Sequence, residues 1–149
     1  MKKLTFILSI FIAILIVSCN EESDDIQDSV KDQIEENVQS SSWRITKYID
    51  SGDDETHHYT GYNFEFAVNN LITASNGVNS YSGTWSITGS NSNDDSQDDL
   101  DFNIFFSTPS DFEELSDDWD IISQSSQKIE LIDISGGNGG TDYLTFEKN

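Results

Sequence analysis

From Trp43 to the end of the chain, apolar and polar residues alternate with a period of two, and this alternation limits the fold more than any other feature. In one run, Tyr81, Gly83, Trp85 and Ile87 alternate with serine and threonine. Successive side chains of a strand point to opposite faces, so each run predicts a strand with one buried face and one wet face. The predicted strands are 43–50, 62–66, 71–75, 81–88, 100–107, 121–123, 129–134 and 143–147.

Short turn sequences separate these eight strands, among them Asn76-Gly77 and the glycine-rich segment 136–140. The connections are too short for parallel crossovers. We therefore expect an all-β domain over residues 43–149, an eight-stranded antiparallel meander that closes into a barrel and leaves no exposed edge. An open two-sheet sandwich is the alternative. One helical turn is expected at 111–115, capped by Ser110.

A short helix is predicted before the first strand. Ile26, Val30, Ile34 and Val38 recur every four residues among polar ones, which indicates an amphipathic helix over 26–40 with a narrow apolar stripe. We expect this stripe to lie against the barrel. The preceding segment 19–25 is acidic and is predicted to be a solvated tether.

The first eighteen residues have the layout of a bacterial secretion signal. Two lysines are followed by the uncharged segment 4–17, and then come Ser18 and Cys19, the single cysteine of the chain. A membrane-spanning helix needs about 20 apolar residues, more than this segment supplies. The ending Ile16-Val17-Ser18-Cys19 resembles the recognition site of lipoprotein signal peptidase. That resemblance implies removal of residues 1–18 and a lipid anchor on Cys19.

Charge restricts the partners of the exported chain. Residues 19–149 hold 5 basic and 28 acidic side chains, a net charge of −23, whereas the whole sequence carries −21. Binding to nucleic acid depends on Lys and Arg neutralising phosphates, so we expect no nucleic-acid partner. The acidic run after Cys19 resembles the surface-export signals of lipoproteins in Bacteroidetes-type bacteria. It implies a lipoprotein of the outer membrane, displayed on the outer face.

Several segments together resemble the lipocalin-like lipoproteins of Bacteroidetes-type bacteria. The segments that carry the resemblance are 42–46 (Ser-Trp-Arg-Ile-Thr), 61–66 (Gly-Tyr-Asn-Phe-Glu-Phe), 83–87 (Gly-Thr-Trp-Ser-Ile), 112–119 and 139–147. The likeness extends over nearly all of the chain after Cys19. It implies a lipocalin-like barrel, in a family that has no established activity.

The candidate ligand site is the barrel interior. The aromatic residues at inward positions are large enough either to fill a small barrel or to line an apolar pocket with phenol groups. Both alternatives stay open from the sequence. The residues predicted to bind a ligand are Trp43, Tyr62, Phe64, Tyr81, Trp85 and Phe102.

No metal, cofactor or catalytic site is predicted. His57 and His58 would point to opposite faces of a strand, and the acidic loop 91–101 lacks the glycine and glutamate of a calcium loop. The sequence contains no nucleophile elbow, Walker loop or His-Glu-x-x-His motif. We therefore predict a non-enzymatic, lipid-anchored envelope protein that binds a small, partly apolar ligand in the barrel. The alternative is a filled barrel that contacts an envelope protein or glycan.

Overall fold

The computed structural model describes residues 22–89, 100–135 and 140–149, with side chains from residue 28 onward. The predicted signal 1–18, Cys19 and most of the acidic loop 91–101 lie outside the described residues. The elements are α1 (Glu22–Gln39), β1 (Ser42–Asp50), β2 (Asp53–Asp54), a 3₁₀ turn (Thr56–Tyr59), β3 (Asn63–Phe66), β4 (Leu71–Ser75), β5 (Ser80–Gly89), β6 (Leu100–Phe105), α2 (Ser110–Glu113), β7 (Asp117–Gln124), β8 (Lys128–Ile134) and β9 (Thr141–Lys148).

Eight of the strands form a closed antiparallel barrel, as the sequence predicted, and the sandwich alternative is wrong. β3 to β9 pair in chain order, and β1 closes the ring between β3 and β9. The closing pairs include Trp43 with Phe64 on β3 and Ile45 with Phe146 on β9. β2 is a two-residue extension that pairs with β1. Closure leaves the ring without a free strand edge, which accounts for a barrel built from strands this short.

Two strands differ from their predicted limits. β7 begins at Asp117, four residues before the predicted 121–123, because the buried Trp119 belongs to its inward face although its neighbours are acidic. β6 ends at Phe105 rather than at residue 107. The amide of Phe106 donates to the Ser116 hydroxyl over 2.9 Å, so it leaves the strand ladder there.

Both helices begin differently from the prediction. α1 starts at Glu22, inside the predicted tether 19–25 and four residues before 26. Acidic residues are favoured in the first turn of a helix, so the composition that suggested a tether also suits a helix start. The prediction that Ser110 caps α2 is wrong: Pro109 is the N-cap, and no side-chain cap bond forms. Ser110 is already helical.

One end of the barrel, which we call the α1 end, is covered by α1. Ile34 and Val38 are buried, and the indole nitrogen of Trp43 donates to the Val38 carbonyl over 2.8 Å. Asn37 also donates to Gln124, the last residue of β7. The predicted stripe thus packs on the barrel, although Val30 remains 42% exposed. Among the described helices, none combines the length and apolarity needed to cross a bilayer.

The opposite end, which we call the α2 end, is covered by the 3₁₀ turn and α2. Phe112 of α2 and Tyr59 of the 3₁₀ turn are buried, and their rings meet edge to face at 5.4 Å. The Tyr59 hydroxyl donates to the Asp111 carbonyl, and the Tyr48 hydroxyl donates to the Glu114 carbonyl over 2.8 Å. These bonds fasten α2 to β1 and to the 3₁₀ turn.

Candidate functional site

The six predicted ligand residues all face the barrel interior, where they belong to the core. Five of them are buried, and Tyr81 is partly buried and packs against the same cluster. Trp85 and Phe102 lie 5.9 Å apart, and Phe66 meets both rings edge to face. These rings therefore fill the space that an interior pocket would have to leave open for a ligand.

Phe112 fills the interior at the α2 end. Its ring lies 4.8 Å from Tyr81, 5.1 Å from Tyr62, 5.3 Å from Phe106 and 6.1 Å from Phe64. Sequence reasoning missed this residue because it falls in the short helical turn rather than in a strand. The spacing of Phe112 and Leu115, both buried, was the signal that one side of this turn faces the core.

The polar atoms of the buried aromatic residues bond to the chain itself. The indole nitrogens of Trp85 and Trp119 donate to the carbonyls of Ala67 and Leu115, each over 3.1 Å. The Tyr62 hydroxyl accepts a 3.5 Å hydrogen bond from the Asn79 side chain. Burial raises the pKa of the Tyr48 and Tyr59 phenols far above their usual range, so both stay neutral donors. The groups that would orient a ligand in the interior thus serve the fold.

The outer surface carries an open groove of about 510 Å³ that crosses β5 and β6. Its floor follows one row of paired residues, in which Trp85 pairs with Ile104 and Ile104 pairs with Asp117. Phe105 is 56% exposed at the rim. This volume lies in the range of small-molecule sites. The lining residues are Asn70, Thr84, Trp85, Ser86, Asn103, Ile104, Phe105, Ser116 and Asp117.

Gly83 sets the position of Phe105 beside this groove. A Cβ on Gly83 would lie 2.1 Å from the Phe105 carbonyl oxygen and 2.9 Å from Cδ1 of Phe106. Only glycine allows the end of β6 to approach β5 so closely. In this arrangement Phe106 is buried in the core and Phe105 stays on the surface.

Asp117 lines the groove where it pairs with Ile104, and its side chain is partly buried. Burial first, then a hydrogen bond with the Asp118 side chain and the charges of Asp133 and Asp118, raise its pKa to about 6. The Asp118 amide donates to Asp117 Oδ1 over 2.9 Å, which favours the charged form and opposes the rise. Asp117 therefore gains a proton under mildly acidic conditions.

The predicted strand geometry of His57 and His58 is wrong, because both residues lie in the 3₁₀ turn, where their rings are 4.1 Å apart. A 3₁₀ turn does not alternate side chains between two faces. His58 instead meets Glu55 and Glu114, and one ligand-type atom of each residue lies within 4.8 Å of the others. The acidic loop, over residues 91–99, and Cys19 lie outside the described residues.

The fold resembles that of one solved bacterial structure. A DUF4847 family protein from Bacteroides vulgatus ATCC 8482 superposes with a TM-score of 0.52 and 19% sequence identity. The match covers 78% of this chain and 97% of that chain. No family model and no curated protein matches the sequence. At this level of identity the likeness extends to the barrel fold alone.

Proposed function

We propose that this chain is a lipid-anchored, non-enzymatic, lipocalin-like barrel protein of the cell envelope, whose outer groove binds a neutral glycan. One observation carries the choice: the aromatic interior is packed against itself, whereas the groove beside Phe105 is open. The packed interior and the open groove favour the second of the two hypotheses drawn from the sequence, the filled barrel. A small apolar ligand would have to displace Phe112 or separate the rings that surround it.

The composition of the groove suits a sugar. A sugar ring presents hydroxyl groups at its edge and C–H groups on its face, and so needs hydrogen-bonding side chains beside an apolar or aromatic one. Thr84, Ser86 and Asn103 supply hydroxyl and amide groups at outward positions, and Phe105 supplies an exposed ring. The net charge of −23 after Cys19 disfavours an anionic glycan, since like charges repel.

The glycan proposal is tested with the full chain in non-ionic detergent on an array of neutral oligosaccharides. We expect Phe105→Ala to lower the affinity by about tenfold or more, because the stacking ring is lost. Ile122→Ala is the matched control, since Ile122 is 54% exposed but does not line the groove. Equal losses in the two variants, or no bound neutral glycan, would contradict the proposal.

Native mass spectrometry of the same preparation separates the groove from the interior. We expect the bare mass of the lipidated chain when it is purified from its own host. A small molecule that co-purifies and survives Phe105→Ala would instead favour an interior ligand among Tyr62, Tyr81 and their neighbours. If a partner protein bound the chain and Phe105→Ala abolished that binding, the groove would remain the binding site, but its ligand would be a protein rather than a glycan.

The lipid anchor has a separate test. The apolar segment 4–17 and Cys19 support processing by lipoprotein signal peptidase. Several acyl chains together hold a protein stably on a membrane, whereas a single chain holds only marginally. We expect Cys19→Ala to move the protein from the membrane fraction to the soluble fraction, measured by fractionation and immunoblotting. Unchanged retention in the membrane would refute the anchor.

A further inference from the structure

Two separate segments bring Glu55, His58 and Glu114 together at the α2 end. Glu55 precedes the 3₁₀ turn, His58 lies within it, and Glu114 follows α2. One carboxylate oxygen from each glutamate and one imidazole nitrogen lie within 4.8 Å of one another. Glu55 and Glu114 are 59 positions apart in the sequence, so their meeting is a product of the fold.

Tyr48 holds both segments in place. Its carbonyl accepts a 3.0 Å hydrogen bond from the Glu55 amide, and its hydroxyl donates to the Glu114 carbonyl over 2.8 Å. Tyr48 is buried in β1. The three side chains therefore project from backbone that is fixed to the barrel, as a preorganised binding site requires.

One polar atom of the cluster lacks a hydrogen bond to any of the described residues. Within the part of the chain that the structure describes, His58 Nδ1 is shielded from solvent and has no hydrogen-bond partner. Glu55 Oε2 lies 3.7 Å away, beyond hydrogen-bond distance. A shielded nitrogen and two facing carboxyl groups are the surroundings that a cation would stabilise.

We propose that Glu55, His58 and Glu114 form a site for a divalent transition-metal ion such as Zn²⁺, which joins the 3₁₀ turn to α2. Zinc binds imidazole nitrogen and carboxylate oxygen at about 2.0–2.2 Å, so tetrahedral ligand atoms lie roughly 3.4 Å apart. The three ligand atoms, which lie within 4.8 Å of one another, reach that separation if each moves about 1 Å or less toward their centre. Calcium is disfavoured, because it takes six to eight oxygen ligands and imidazole is not one of them.

The test is calorimetric titration of Zn²⁺ into the metal-free full chain in detergent, with Ca²⁺ as the comparison ion. We expect one saturable zinc site per chain above the weak background of the surface acids. His58→Gln and Glu114→Gln should each lower the zinc affinity by about tenfold or more. The adjacent exposed residues supply matched controls: His57→Gln and Glu113→Gln should change the affinity less than about twofold.

Thermal unfolding followed by circular dichroism gives a second readout if a variant is less stable. Zinc should raise the Tm of the unmodified chain and of both control variants, and at the same zinc concentration should raise the Tm of His58→Gln by less. A titration without a saturable zinc site overturns the proposal. So does an equal loss of affinity in His57→Gln and His58→Gln, since binding would then reflect diffuse surface charge.

Discussion

The α1 end of the barrel is closed by apolar side chains of one long helix, whereas the α2 end is closed by aromatic rings surrounded by titratable groups. Under α1, Ile34 and Val38 are buried and the neutral side chains of Asn37 and Gln124 hydrogen-bond over 3.1 Å. At the α2 end, partial loss of solvent is the largest cause of the raised pKa values of Asp117, which is partly buried, and of Glu114, which is exposed. The two ends therefore respond differently to solution conditions.

Because of this difference, the stability of the two ends should depend differently on pH and on bound cations. Apolar burial does not depend on protonation, so the α1 end should hold the helix equally well across the physiological pH range. A carboxyl that is partly removed from water destabilises the fold when it is charged, and that cost falls when a proton or a cation binds. The groove reaches Ser116 and Asp117, which follow α2, and the proposed zinc site includes Glu114 beside them, so ligand binding and stability should be coupled at this end.

The largest expected effect is at the α1 end. Ile34→Ala should lower the free energy of unfolding by about 2–4 kcal/mol, because a buried isoleucine loses contacts and leaves a cavity. Val30→Ala on the same stripe should change it by less than about 0.5 kcal/mol, since Val30 is 42% exposed. Urea denaturation at pH 7 and pH 5 should give equal losses. A loss under about 1 kcal/mol would show that α1 contributes little to the core.

At the α2 end, a smaller effect is expected when one buried hydrogen bond is removed. Tyr59→Phe should lower the free energy of unfolding by about 1–2 kcal/mol, because the Asp111 carbonyl loses its buried donor while the ring packing stays. The control is Tyr143→Phe: Tyr143 is partly exposed, and its ring, which Lys47 Nζ approaches to 4.4 Å, is kept. Denaturation curves in which the two variants coincide would contradict a structural role for the Tyr59 hydroxyl.

The barrel could be predicted from the sequence because the information that specifies a strand is local. The alternation around Trp85 and around Phe102 reports which face is buried, and the short connections require antiparallel neighbours. The number of alternating segments, eight, is then enough to predict that the sheet closes into a barrel. The residues that were predicted to face inward do face inward, because the alternation of neighbouring residues along a strand decides which side chains point to the interior.

The site could not be predicted in the same way, because its parts meet only through tertiary pairing. The groove depends on the register that places Thr84 opposite Phe105, and no local pattern specifies that register. Whether the interior is filled depends on Phe112, which enters from outside the strands. The cluster of Glu55, His58 and Glu114 joins two distant loops, so the spacing of His57 and His58 was misleading.

The smallest effect, and the sharpest comparison of the two ends, concerns Asp117. Its pKa is about 6 in the folded chain against 3.8 ordinarily, so the folded state binds a proton more tightly than the unfolded state does. Stability should therefore fall as pH rises from about 4 to 6 and then level off.

Asp117→Asn removes the charge but keeps an oxygen for the Asp118 amide. It should raise the free energy of unfolding at pH 7 by about 1 kcal/mol, after allowance for solvent screening, and by nothing below about pH 4. Asp53→Asn, on the exposed β1–β2 hairpin, is the control, and both variants are measured by denaturation from pH 4 to 8. If Asp117→Asn shifted stability equally at all pH values, the carboxyl would not be the source of the pH response, and the two ends would differ in packing alone.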